Sequence, residues 1–389
     1  MESQQTRTSA IMEAIRQRIA ARALVPGDRL PSIRQFAKTM QASPSTIVQA
    51  YDRLVAEGVI APRLGSGFYV TGRTLPPLLL AEATTLTARA VDPFWVSRQS
   101  LDSDPTTLKP GCGWLPTEWM PNDALRKAFR AVARGENIIL SEYGSTRGAA
   151  RLRRLLTAQF AEGGLDVSPD QVLLTGSGTQ AVDLICRLLV RRGDTVLVDD
   201  PCYFNFQALL RAHEIRIVGV PYTATGPDTE AFEQIVLQEK PRLYITNSAL
   251  HNPTGATLSP QTAFRLLSTA AASGVLIIED DIFADFETAP SPRLAVMDGL
   301  EHVIRIGSFS KTLSASVRCG YIAARKDLIE GLIDLQVATS FGGPSSVTTE
   351  VIADVLEGGS SRKHMQENQR RLEKSGKTGN PKPEALGIL

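Results

Sequence analysis

The sequence predicts two units: a small helical head closed by a β-hairpin, and a larger α/β domain whose mainly parallel sheet is covered by helices. Three observations lead there. Near the start, apolar residues recur at helical spacing and then give way to two short extended runs about a glycine turn. Beyond residue 106, apolar runs of strand length alternate with helical patterns, as in a sheet whose parallel strands are joined by crossover helices. Charge divides the same way, because residues 1–73 carry +5 and the remainder −4, although the whole chain sums to +1.

In the head, Ile11, Ile15 and Ile19 with polar Arg16, Gln17 and Arg18 between them predict one amphipathic helix, ending before Pro26-Gly27-Asp28. Ser32 can cap a second helix with Ile33, Phe36, Ala37 and Met40 as its buried stripe, and Gln41-Ala42-Ser43-Pro44 breaks it. A third opens near Ser45. It turns Ile47, Tyr51 and Leu54 inward, leaves Ser45, Thr46, Gln49 and Arg53 available to a groove, and stops at Gly58. Val59–Arg63 and Phe68–Val70, across Leu64-Gly65-Ser66-Gly67, suit a hairpin wing. The pattern alone fits a winged helix-turn-helix or a small interaction domain. The residues themselves, with Leu30-Pro31-Ser32-Ile33-Arg34, Tyr51-Asp52-Arg53-Leu54 and Gly65-Ser66-Gly67-Phe68-Tyr69-Val70, resemble the GntR-type winged helix nearly from end to end. That resemblance implies double-stranded DNA as partner, with Arg34 and Arg63 meeting phosphates and Ser45, Thr46 and Gln49 approaching base edges.

The head is thus expected to span residues 1–72, and residues 73–105, with Pro76-Pro77 and Asp102-Ser103-Asp104-Pro105, to form a connector holding at most a short helix. In the remaining 106–389, strands are expected near Gln171–Leu174, Thr195–Val198, Ile215–Val220, Arg242–Thr246, Val275–Glu279 and Val303–Ile306.

Polar side chains collect at the ends of those strands. Gly176-Ser177-Gly178-Thr179-Gln180 opens a helix whose free N–H groups can hold a phosphate. Tyr203 follows Asp199-Asp200-Pro201-Cys202 and could lie over a ring or fill core. Asn252 offers an amide in His251-Asn252-Pro253-Thr254-Gly255. Glu279-Asp280-Asp281 places carboxylates at a strand end, where a metal or structural site would be equally ordinary. Ser308-Phe309-Ser310-Lys311 ends with a lysine, and Arg318 follows seven residues later. A phosphorylated pyridine aldehyde needs this set: a lysine for the Schiff base, a phosphate cradle, a carboxylate at the ring nitrogen and a flat group over the ring.

In this order the motifs resemble the fold-type I aminotransferases, and with the fused head the whole resembles the MocR branch of the GntR family. The resemblance implies an α/β aminotransferase fold binding pyridoxal 5′-phosphate. Lys311 would make the Schiff base and be the catalytic residue, Asp280 would pair with the ring nitrogen, Asn252 would bond the phenolic oxygen and Tyr203 would stack on the ring. Gly178, Thr179, Gln180, Ser308 and Arg318 would hold the phosphate, and Tyr143 would reach the phosphate bound by the other subunit of a homodimer. Asp281 remains an alternative to Asp280, since neighbours on a strand point opposite ways.

Two departures from the family pattern bear on activity. The tyrosine three residues after the aspartate is replaced by Phe283, which has no hydroxyl to offer the phenolic oxygen. The family also continues past the position of Leu389 into a small domain that supplies an arginine for the substrate carboxylate. That domain is expected to be incomplete here, and Lys374 to Pro383 reads as polar and unlike a packed helix.

The expected function is a transcription regulator whose cofactor domain senses a small amine or amino acid. The alternative is an active aminotransferase carrying a DNA-binding domain. The composition, 43% hydrophobic and 21% charged, is that of a soluble globular protein, and the polar start lacks a secretory core, so a cytoplasmic protein without a membrane span is expected. Cys112, Cys186, Cys202 and Cys319 are scattered, suggesting neither a metal site nor disulfides.

Overall fold

The computed structural model describes residues 7–20, 24, 27–63, 66–71, 92–102, 113–135, 138–141 and 143–379. The expectations placed on Pro26, Leu64, Gly65, residues 73–91 and 103–105, Cys112 and the tail beyond Gly379 lie outside the described residues. The chain divides into two compact units, Met1–Arg89 and Ala90–Leu389.

The first unit consists of α1 (Arg7–Ala20), α2 (Ile33–Thr39), α3 (Pro44–Ala56), β1 (Ile60–Arg63) and β2 (Gly67–Val70). Side-chain caps set where two of the helices begin. Ser32 Oγ accepts from the Gln35 N–H at 3.3 Å and Ser43 Oγ from the Thr46 N–H at 3.2 Å, with Pro44 in the first turn, where a missing N–H costs nothing. Ile11, Ile15, Phe36, Ile47, Tyr51, Leu54, Ile60 and Val70 form the core. The buried Tyr51 hydroxyl donates to the Pro31 carbonyl at 2.9 Å, tying α3 to the start of α2. Strands β1 and β2 pair antiparallel with Ile60 opposite Val70.

The second unit opens with α4 (Pro93–Asp102), within the stretch read as a connector. Its sheet has eight strands: β3 (Val172–Thr175), β4 (Thr195–Asp200), β5 (Arg216–Thr223), β6 (Gly226–Pro227), β7 (Leu243–Thr246), β8 (Leu276–Asp280), β9 (Val303–Ser308) and β10 (Gly320–Ala323). Their order is β3-β10-β9-β8-β7-β4-β5-β6. The pairs from β9 through β8, β7 and β4 to β5 are parallel, whereas β10 runs antiparallel to both its neighbours. Alternate residues feed two cores: Leu197, Tyr244, Ile277 and Val303 on one face, and Val196, Val198, Ile245, Ile278 and Ile304 on the other. Burial on both faces explains why these strands read as continuous apolar runs.

Two features differ from the sequence reading. Gly320-Tyr321-Ile322-Ala323 forms a fully buried strand that no apolar run announced. The polar tail is helical: Ser360–Gly379 is one continuous helix. Its Arg, Glu, Gln and Lys residues are good helix formers. The helix is also anchored, since buried Asn368 donates to the Trp119 carbonyl at 3.1 Å and Gln369 to the Glu287 carbonyl at 2.8 Å. Among the described residues, no helix is long and apolar enough to cross a membrane, and no cluster of His, Cys, Asp and Glu could hold a metal ion. Cys186 and Cys319 are buried thiols, and Cys202 is partly buried.

Candidate functional site

Beyond the carboxyl ends of β3, β4, β7, β8 and β9 lies a cavity of about 560 Å³. This is where open α/β sheets place their ligands. Gly178, Thr179, Tyr203, Asn252, Asp280, Ser308, Lys311 and Arg318 all line it. Residues from five separate strand ends thus converge as the sequence motifs suggested. Gln180 and Tyr143 are not among the lining residues.

Each placement has a local cause. Ser177 caps α5 (Gly178–Leu189), its Oγ accepting from the Gln180 N–H at 3.0 Å, so the Gly178 and Thr179 N–H groups belong to the first, unbonded turn of the helix. The Gln180 side chain is spent elsewhere: its Oε1 accepts from the Gly176 N–H at 2.5 Å and its Nε2 donates to Ser340 Oγ at 2.8 Å. It shapes the glycine turn from behind. Ser308 ends β9, and its Oγ is 2.9 Å from Ser310 Oγ. Lys311 Nζ donates to the Gly113 carbonyl at 3.1 Å and lies 5.8 Å from the centre of the Phe283 ring. Tyr143 is 83% exposed and meets Phe341 edge-on at 5.0 Å.

The three consecutive acids at the end of β8 have three different surroundings. Glu279 accepts from the Leu294 and Ala295 N–H groups at 2.7 and 2.9 Å, at the start of a short helix. Asp281 meets the Arg293 and Arg305 guanidinium groups at 2.8 and 2.6 Å. Asp280, on the opposite face, reaches the cavity, so the pleat separates the two candidates for the ring nitrogen. Burial pushes the Asp280 carboxyl up to about 7, with Asp281 adding to the rise. The Ile282 N–H, Asn247 and Lys311 pull in the other direction.

Three contributors escaped the sequence reading. Asn247 lines the cavity, and its Nδ2 donates to the Asp280 carbonyl at 3.0 Å, fixing the end of β8. Behind it, Asp199 accepts from the Tyr244 hydroxyl and from the Asn247 N–H, and lies 3.2 Å from His251 Nε2. The His251 ring stacks on Tyr222 at 3.7 Å. Burial pushes the Asp199 carboxyl up, although His251 and Tyr244 oppose it. Gly320 is the third: a Cβ there would stand 2.6 Å from the Ser177 carbonyl carbon, so only glycine lets the turn at Ser177 settle on β10.

In the first unit, Arg34, Ser45, Gln49 and Arg63 are exposed and Thr46 is half-buried. Gln49 Oε1 accepts from Thr8 Oγ1 at 3.1 Å, and the Ser45 and Thr46 hydroxyls lie 2.8 and 2.7 Å from Ser43 Oγ. The Arg63 guanidinium stands over the Tyr69 ring at 4.3 Å.

A winged helix preceding an α/β domain with a lysine-bearing cavity at its strand ends defines a DNA-binding head joined to an aminotransferase-type domain. The chain belongs to the aminotransferase class I and II family, whose model matches residues 116–378, and residues 7–70 match the gntR family of bacterial regulatory proteins. It is 28% identical over 365 residues to the uncharacterized HTH-type transcriptional regulator YdfD of Bacillus subtilis, covering 89% of this chain and 73% of that protein. It is 26% identical over 348 residues to the HTH-type transcriptional regulator NorG of Staphylococcus aureus, covering 87% and 77%. Among solved structures, the α-aminoadipate aminotransferase LysN of Thermus thermophilus, complexed with N-(5′-phosphopyridoxyl)-L-leucine, is similar with a TM-score of 0.62 and 27% identity. That match covers 66% of each chain. The donor set fits the cofactor of this fold, pyridoxal 5′-phosphate: an amine, a buried carboxylate, an amide and a helix N-terminus with an arginine face one cavity.

Proposed function

We propose that this chain is a DNA-binding transcription regulator whose pyridoxal-phosphate domain senses a small amine or amino acid. The observation that carries this reading is a single chain holding both a DNA-reading head and a cavity furnished for the cofactor. Pyridoxal phosphate, when bound, supplies an electrophilic aldehyde and an electron-withdrawing pyridinium ring.

The chain's own residues supply the rest. Lys311 Nζ is the amine that would hold the cofactor, in the place for which the amine of a ligand would compete. The Asp280 carboxylate keeps the proton on the ring nitrogen, and that positive charge in turn offsets the burial that raises Asp280. Asn252 donates its amide to the phenolic oxygen, and Tyr203 supplies a flat apolar face. The Gly178 and Thr179 N–H groups, Ser308 Oγ and Arg318 hold the phosphate. Gln180 acts through the shape of the turn rather than by touching the ligand. Tyr143, turned outward beside Phe341, is read as a residue for the other subunit of a homodimer, which would present two heads to paired half-sites. Arg34 and Arg63 would contact phosphates, and Ser45, Thr46 and Gln49 bases. The protein would act in the cytoplasm.

An active aminotransferase with a DNA-binding domain is the second reading, favoured by the intact set of Lys311, Asp280 and Asn252. Both are tested by selecting a preferred duplex on the cofactor-loaded protein and titrating it with and without a panel of amines. Sensing predicts that at least one amine changes DNA affinity about fivefold or more, the usual scale of coupling between sites. Unchanged affinity with every amine, accompanied by steady keto-acid production, would replace the first reading with the second.

A further inference from the structure

We infer that the ligand exchanged at Lys311 carries an apolar side group of aryl or branched-alkyl size, received by Trp114, Leu115, Met120 and Leu101. This rests on the sensor reading and names the ligand class of the same cavity. The key distance is the 3.1 Å from Lys311 Nζ to the Gly113 carbonyl. It brings the segment starting at Gly113 against the nitrogen where exchange takes place. The next two residues, Trp114 and Leu115, line the same cavity, as does Met120 further along. Leu101, from α4, completes this wall.

Charge is distributed to match. Among the described residues, the charged ones lining the cavity are Asp280, Lys311 and Arg318, and the cofactor would account for all three. Trp114, Leu115, Met120 and Leu101 make this wall mainly apolar among the described residues, interrupted by the neutral Ser97, Ser100, Thr117 and Asn122. A carboxylate or ammonium at the end of a ligand side chain would meet no charged partner among the described residues of this wall, whereas an aryl or alkyl group would gain from covering Trp114, Leu115 and Met120. Phe283 adds to this character. Its ring lies 5.8 Å from Lys311 Nζ and its edge 3.7 Å from where a Cβ on Gly113 would stand, so it packs behind the same segment.

The test uses the full chain loaded with pyridoxal phosphate and follows the cofactor's absorbance during titration. The probes are 2-phenylethylamine, phenylalanine, methylamine, glutamate and putrescine. We expect 2-phenylethylamine or phenylalanine to bind at least about 10-fold more tightly than glutamate and putrescine, the discrimination a few methylenes give in an apolar pocket. The contrast between the two tells whether an α-carboxylate is also received. Trp114→Ala should weaken the preferred probe about 10-fold and leave methylamine unchanged, and Trp114→Phe should restore most of the loss. Trp114 is 51% exposed, so truncation leaves the core intact, and an unaltered cofactor band in the variant checks this. Glutamate or putrescine binding as tightly as the better of 2-phenylethylamine and phenylalanine, or Trp114→Ala weakening methylamine equally, would overturn the inference while sensing itself stands. A spectrum that no probe shifts, methylamine included, would instead overturn the sensor reading and the inference with it.

Discussion

Asp280 and Asp281 are neighbours in sequence with opposite surroundings: Asp280 borders the cavity, while the Asp281 carboxylate lies between Arg293 and Arg305, at 2.8 and 2.6 Å. Their asparagine variants should therefore separate. Asp281→Asn leaves two largely buried guanidinium groups without their shared counter-charge and should cost about 3–5 kcal/mol of stability. Asp280→Asn should leave the fold intact and weaken cofactor capture. Denaturant titration beside pyridoxal-phosphate titration of both variants checks this, and equal effects on the two readouts would contradict it.

The same carboxyl makes stability depend on pH. Burial raises Asp280 from its ordinary 3.8 to about 7, so between those values the folded, cofactor-free protein keeps a proton that the unfolded chain has released. Its stability is then fully present below about pH 4 and falls as pH rises to about 7, by up to about 4 kcal/mol at roughly 1.4 kcal/mol per unit. Asp280→Asn should remove this share, making the cofactor-free variant more stable than the parent at pH 8 but not at pH 4. Denaturant unfolding at both pH values measures the difference, and a gap independent of pH would refute the assignment.

For the DNA head, Arg34→Ala should weaken all duplexes alike and lower the salt slope by about one, as loss of a phosphate contact does. Gln49→Ala should instead alter preference among sequences, at about 1–3 kcal/mol for the affected base pair. The Thr8 hydroxyl holds Gln49 at 3.1 Å, so Thr8→Ala should also shift that preference without touching the recognition helix. Anisotropy titrations over a set of mutated duplexes at several salt concentrations distinguish these outcomes.

Much of this organisation was legible because local signals and tertiary outcome coincide. Ser32 caps where turn chemistry says it should, and strands buried on both faces announce themselves as apolar runs. Tyr203, Asn252, Asp280 and Lys311 each sit at a strand end, and parallel strands bring their carboxyl ends to one side of the sheet. What stayed hidden depends on register between distant segments. The Asp199–His251 pair joins β4 to the loop after β7, and Asn247 reaches across to Asp280, with nothing local to mark either. Gly320 matters only because the turn at Ser177 lies against it. The helix Ser360–Gly379 was also hidden: it runs through Lys374–Gly379 in the polar tail, and its anchors further back, Asn368 and Gln369, are polar side chains that donate to backbone carbonyls at Trp119 and Glu287.

The prediction that tests the cofactor site most directly concerns Lys311 and Arg318, which border one cavity and for which separate tasks are proposed. Lys311 is proposed to provide the covalent bond, so borohydride treatment of the loaded protein should fix the cofactor on the peptide containing Lys311, and Lys311→Ala should abolish the adduct. Arg318 is proposed to provide charge toward the phosphate. Its removal should leave the covalent bond possible but weaken capture by about 1.5–3 kcal/mol, the range for hydrogen bonds to a charged group, or roughly 10- to 150-fold in affinity. Arg318→Lys should recover only part of this, since an ammonium keeps the charge without the paired donors of a guanidinium. Pyridoxal lacking its phosphate separates the tasks: it should bind Lys311 equally well in the parent and in Arg318→Ala. If Arg318→Ala weakened pyridoxal and pyridoxal phosphate by the same factor, the arginine would be shaping the cavity rather than holding the phosphate.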